Sequence, residues 1–175
     1  MVLSLVLALI ASASAQMKFT LTSEKQQHRA GEPIKLTWKL YNGTNRNWVV
    51  YKATVGVREN FPQLTFILEG PSGRQTLSLQ GAEKATTADA CRLRPGQTLQ
   101  ADFDLAKWMT YLGYQIPMGK YGISATFAHQ AKNYRGMLQS LLVATCGSTE
   151  PLTNTQLSEI WDGTLTAPQI SFTIQ

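Results

Sequence analysis

The side chains in this sequence that can transfer protons, attack carbonyls or bind metals are few. They are two histidines, His28 and His129, two cysteines, Cys91 and Cys146, and the closely spaced carboxylates Asp102 and Asp104. A hydrolytic site needs a nucleophile, a base and an orienting acid brought together by the fold. No Ser or Cys stands in a nucleophile turn such as G-x-S-x-G, and both histidines fall near predicted loops, where they read as solvated. Asp102 and Asp104 project from one face of a predicted strand, the arrangement for a shared cation or an acid and base pair. Neither a Gly-punctuated calcium loop nor a third ligand accompanies them, so they read as solvent-facing. Met109, Met118 and Met137 with His129 have the softness of a copper site, but they are scattered through separate segments and suit gap-filling in a core. The expectation is a chain with no catalytic residue, no metal and no cofactor. The alternative is a secreted enzyme or metal-handling protein using His129 and neighbouring polar residues.

The elements that would position these groups follow from period-two alternation. Ile34, Leu36, Trp38 and Leu40 alternate with Lys35, Thr37 and Lys39, as a strand with one buried face demands. Further runs place Val49, Tyr51, Ala53, Val55 and Val57 on one face, then Leu64, Phe66 and Leu68 before the turn Gly70-Pro71-Ser72-Gly73, then Leu77 and Leu79. Leu99, Ala101, Phe103 and Leu105 follow the turn at Arg94-Pro95-Gly96. Tyr121, Ile123, Ala125 and Phe127 follow Pro117 and Gly119, and Ile170, Phe172 and Ile174 end the chain. Phe19 and Leu21 supply a short first strand. Roughly seven to nine such strands separated by turn residues predict an all-β fold, an immunoglobulin-like antiparallel β-sandwich. One segment departs from this period. Met137, Leu138, Leu141 and Leu142 fall at helical spacing, with Asn133 as cap and Gly147 as stop, which predicts a short helix from Tyr134 to Thr145. A further helical turn is expected to end at Trp161. The interval from Ala128 to Asp162 thus reads as a helical insertion before the last strand, and a partner would bind through it.

The N-terminus sets the compartment. The apolar run Val2–Ile10 and the small residues Ala11–Ala15 read as a secretory signal cleaved before Gln16, although no Lys or Arg precedes the run. The run falls short of the ~20 residues that cross a bilayer. Residues 16–175 are then a single exported domain, periplasmic or extracellular, with no transmembrane segment. Export allows a bond between Cys91 and Cys146, which would close a loop of about 55 residues and add about 4 kcal/mol of stability. The formal charge of +5 is dispersed along the sequence with no run of adjacent basic residues, which excludes an obvious nucleic-acid patch. Among the tryptophans, Trp38 reads as core, whereas Trp48, Trp108 and Trp161 flank turns. Trp108 and Trp161, with Tyr134, are candidate partner contacts. Asn42-Gly43-Thr44 matches a glycosylation sequon.

Several short motifs carry a resemblance. Gly31-Glu32-Pro33-Ile34 with Leu36-Thr37, Leu93 with Pro95-Gly96, Leu105 with Trp108, Gly119-Lys120-Tyr121 up to Phe127, and Trp161-x-Gly163-x-Leu165 before Ile170-x-Phe172-x-Ile174 are the relevant ones. Together they resemble the immunoglobulin-like sandwich domains of exported bacterial proteins, including the BsuPI-type proteinase inhibitor domain. Tyr121, two residues after a Gly at the entry to a late strand, is similar to the tyrosine corner of such folds. The cysteines depart from the usual pattern, since neither reads as a core-facing strand position. The resemblance implies a non-catalytic binding module, in its sharper form an inhibitor of proteinases, with a protein or a cell-envelope polymer as partner.

Overall fold

Alternation decides which face each strand buries, and the partners of those faces define the architecture. The computed structural model describes residues 16–51, 64–78, 90–129, 142–145, 148–151 and 158–175. Strands β1 (Met17–Ser23), β2 (Gln27–His28) and β3 (Lys35–Asn42) come first, followed by β4 (Trp48–Tyr51), β5 (Leu64–Gly70) and β6 (Gly73–Ser78). Then come β7 (Ala90–Leu93), β8 (Thr98–Asp104), the helix α1 (Leu105–Tyr111) and β9 (Gly119–His129). Short strands β10 (Leu142–Thr145) and β11 (Ser148–Pro151) precede the long β12 (Gly163–Ile174).

The expected all-β sandwich is observed. One sheet has the order β1-β3-β8, the facing sheet has the order β2-β12-β9-β5-β6, and a third has the order β11-β10-β7-β4. Phe19 of β1 bridges them, with its ring 6.4 Å from Trp38 and 5.9 Å from Phe127. Phe66 of β5 meets Phe103 of β8 at 4.8 Å on the same seam. The hairpin expected around Gly70 and Gly73 forms, with Gly70 opposite Gly73. The antiparallel β9–β12 pair, β5 and β6 beside it, and a helix linking β8 to β9 reproduce the immunoglobulin-like arrangement. The tyrosine corner is present as well. Tyr121 donates its hydroxyl to the Pro117 carbonyl at 2.6 Å and stacks on Phe172 across the strand pair.

Several local expectations are corrected. Residues 142–145 form a strand rather than the end of a helix; Tyr134 to Leu141 lie outside the described residues. A short apolar run fits either state, and here the exposed edge of β7 supplies backbone partners, with Ala144 opposite Cys91. Leu105 continues no strand, because Asp104 caps a helix there. Its Oδ1 accepts from the amides of Ala106 and Lys107, and of Ile34 across the sheet. Val49 and Val50 are both buried, and residues 160–161 pair with Val49 along the edge of β4. Ala53, Val55, Val57 and Leu79 lie outside the described residues. The sequon is not an acceptor. The buried Asn42 side chain donates to the Arg46 and Leu93 carbonyls and accepts from Thr44.

Trp38 is 1% exposed at the centre of β3. Replacing it with alanine is expected to cost about 3–5 kcal/mol in denaturant unfolding. A loss below ~1 kcal/mol would contradict its place on the seam between the sheets.

Candidate functional site

Among the described residues, the most exposed large apolar side chains gather in one connection. Leu105, Trp108 and Met109 recur at helical spacing and are buried, so α1 lies with one face on the core. Trp108 meets Phe66 and Phe103 edge-on. The helix ends in a Schellman motif: Gly113, at φ +77°, donates to Thr110, and Tyr114 donates to Met109. The left-handed conformation at that position is what a glycine supplies. Ile116 then packs against the core, and the Tyr121 hydroxyl fastens Pro117. Between these fixed points the chain holds out Tyr111 (75% exposed), Leu112 (41%), Tyr114 (46%) and Met118 (67%). Tyr41 is the one other exposed large hydrophobic among the described residues. A cleft lined by Arg29, Glu32, Ile34, Thr110 and Tyr114 runs beside the loop. The Lys25 ammonium and the Arg29 amide, both hydrogen-bonded to Glu32, hold that carboxylate down to about 2, so this side of the cleft keeps its charge.

Two of the residues expected to contact a partner are buried. Trp108 and Trp161 are 8% and 7% exposed, part of the core rather than of the surface. Tyr134 lies outside the described residues. Cys91 is buried within β7, contrary to the reading that it is not a core-facing strand position, while Cys146 lies outside the described residues. Asp102 is exposed and accepts from the Thr37 hydroxyl, and Asp104 is a helix cap, so the two carboxylates serve different structural ends. Met109 fills the core and Met118 belongs to the exposed loop; Met137 lies outside the described residues.

Neither histidine is solvated. His28 is buried against Phe172, and its Nε2 donates to the Lys25 carbonyl. His129 is fully buried at the end of β9, where its Nδ1 donates to the Trp161 carbonyl at 2.6 Å. It fastens the return of the chain from the insertion. Trp161 also donates its amide to Val49, and the preceding Glu159 accepts both guanidinium bonds of Arg92 at 2.8 Å. The described part of the insertion that adjoins β12 is therefore an anchor. The exposed loop was missed because its residues, Tyr111 to Met118, carry neither strand period nor charge. A readable signal was present in the Asp104 cap and the helical spacing of Leu105, Trp108 and Met109.

No family model matches the chain, and no curated protein matches it. The solved structures it is similar to are 7–8% identical to it. They include the sporulation control protein Spo0M from Bacillus subtilis, with a TM-score of 0.42 over 91% of this chain and 49% of that one. The chain therefore spans about half the length of Spo0M. The CARDB domain of PF1109 from Pyrococcus furiosus, solved in complex with di-metal ions, has a TM-score of 0.39 over 91% of this chain and 88% of that one.

Burial pushes the His129 imidazole down to about 4, against the opposing influence of the Trp161 carbonyl and Asp162. The unfolded chain takes up this proton near pH 6.5, whereas the folded chain resists it until about 4. Stability from this group is thus complete above pH 6.5 and lost as pH falls toward 4, by about 3 kcal/mol in all. Denaturant unfolding across this window measures the slope, and His129→Gln is expected to flatten it.

Proposed function

We propose that this chain is an exported, non-catalytic binding module of the proteinase-inhibitor type, and that it engages its partner through the loop Tyr111 to Met118. One observation carries the reading: four large apolar side chains stand in solvent on a loop whose two ends are locked by backbone and tyrosine-corner hydrogen bonds. Exposed aromatic side chains on a preorganised loop contribute much binding energy at little ordering cost. A loop of this kind can occupy a proteinase cleft without yielding to it. No helix among the described residues is long and apolar enough to cross a membrane.

The test is titration of the purified mature chain into serine, cysteine and metalloproteinases with reporter peptide substrates. Near-stoichiometric loss of activity in one class is expected, and Tyr111→Ala with Leu112→Ala should weaken it at least about tenfold. Inhibition that survives those substitutions and is lost on shortening the insertion would assign the contact to residues 128–162. Rapid cleavage at the loop, or no inhibition of any class, would remove the inhibitor reading.

The export reading carries a disulfide with it. We place the bond between Cys91 and Cys146, the two cysteines of the chain. Cys91 is not a free thiol, and the described backbone of β10 runs beside β7 to within one residue of Cys146. Intact mass of protein recovered from an oxidising compartment is expected to start at Gln16 and to rise by two hydrogens on reduction. A mass unchanged by reductant would refute the bond.

A further inference from the structure

The sequence holds one Asn-Gly pair, Asn42-Gly43, and the fold places it at the end of β3, where residues 43–47 meet the turn 94–97. Asparagine is among the thermolabile residues, and a following glycine leaves the next amide nitrogen unhindered by a side chain. That nitrogen can attack the asparagine side chain. The Gly43 nitrogen, after giving its proton to hydroxide, bonds to Asn42 Cγ. The bond from Cγ to Nδ2 breaks, and Nδ2 leaves as ammonia with a proton taken from water. A second water opens the resulting succinimide at either carbonyl, which leaves aspartate or isoaspartate at position 42.

In the folded chain the groups this reaction uses are already engaged. The Gly43 amide, the attacking group, donates to the Gln16 carbonyl at 3.1 Å. Nδ2, the leaving group, donates to the Arg46 and Leu93 carbonyls, each at 2.9 Å, and Asn42 is 0% exposed, so water does not reach it to supply a further proton. Oδ1 accepts from the Thr44 amide at 3.0 Å and from its hydroxyl at 2.6 Å, which fixes the side chain in place. The Asn42 backbone is tied as well, its amide donating to Gln97 and its carbonyl accepting from Gly96. The fold also requires the glycine. A Cβ at position 43 would fall 2.7 Å from the Gln16 carbonyl oxygen and 3.1 Å from the Tyr41 ring. The close approach that demands the reactive glycine thus supplies the bond that restrains it.

We propose that Asn42 is a site of spontaneous deamidation, closed in the folded chain, opened when residues 43–47 and 94–97 lift from β3, and one-way once it has reacted. Aspartate at this position would set acceptor oxygens against the Arg46 and Leu93 carbonyls, where Nδ2 now donates. Buried acceptors facing acceptors are costly, so the product does not regain the native arrangement. Isoaspartate adds a backbone methylene just after the Asn42 position, which is paired with Met17, and so moves Gly43 away from Gln16. Transient opening of this end is thereby converted into permanent loss. The folded lifetime of the chain is set by how often the end opens.

The test is peptide mapping by mass spectrometry, with enzymatic labelling of isoaspartate, on the full mature chain held at mildly alkaline pH either folded or unfolded in urea. The unfolded chain is expected to deamidate at Asn42 ahead of Asn45 and Asn47. The folded chain should react at Asn42 at least about tenfold more slowly. Gly96→Ala strains the turn at φ +78°, where a Cβ meets no neighbour, and leaves the reacting atoms unchanged. It is expected to raise the folded-state rate several-fold while circular dichroism shows the variant folded. After urea is removed, chains modified at position 42 should unfold at a lower denaturant concentration than unmodified chains from the same sample. Equal rates in the folded and unfolded chain would overturn the closure. An unchanged folded-state rate in Gly96→Ala would overturn opening of this end as the gate, and equal unfolding midpoints for modified and unmodified chains would overturn the one-way consequence.

Discussion

The Phe19 ring, set between Trp38 of its own sheet and Phe127 of the other, is the contact on which the remaining architecture depends. A sheet with one apolar face has no stable existence in water until that face meets another. Phe19, Trp38, Phe66, Phe103 and Phe127 supply that meeting along one seam, with Trp108 added where the seam reaches α1. Once the two sheets are joined, each strand has a defined inside and outside, and the loops at both ends acquire fixed positions.

Those two ends are built by different means. At one, Asp104 stops β8 and starts α1 with a single carboxylate oxygen, and Gly113 and the Tyr121 hydroxyl then return the chain to β9. The apolar side chains between them have no core left to enter, because the inward positions are already filled by Leu105, Trp108, Met109 and Ile116. At the other end Asn42 satisfies two loops at once, residues 43–47 and the turn after Leu93, so the polar cost of its burial is met.

The insertion between β9 and β12 is fastened where it re-enters the sandwich. His129 and Gly163 pair directly, so the chain leaves and rejoins the sheet at one place. Glu159, Ile160 and Trp161 lie against β4, β7 and β9 through an ion pair, a backbone bridge and the His129 bond. Neutral His129 is the form this environment accepts, because an imidazolium there would be buried beside the Phe127 and Trp161 rings, away from water.

The sequence alone determined the all-β class, most strand faces, the Gly70 hairpin and the tyrosine corner at Tyr121, because alternation and turn chemistry are local properties of neighbouring residues. It did not determine that His28 and His129 are buried, since their covers, Phe172 and Trp161, arrive from distant chain. It left Leu142 to Thr145 ambiguous between helix and strand until the edge of β7 offered hydrogen bonds. Cys91 became a core residue for a similar reason, through pairing on both sides of its strand. The exposed loop was hidden for a related reason. Whether Tyr111 to Met118 face solvent depends on which inward positions are already occupied. That is decided by long-range packing, to which no local period in the chain gives access.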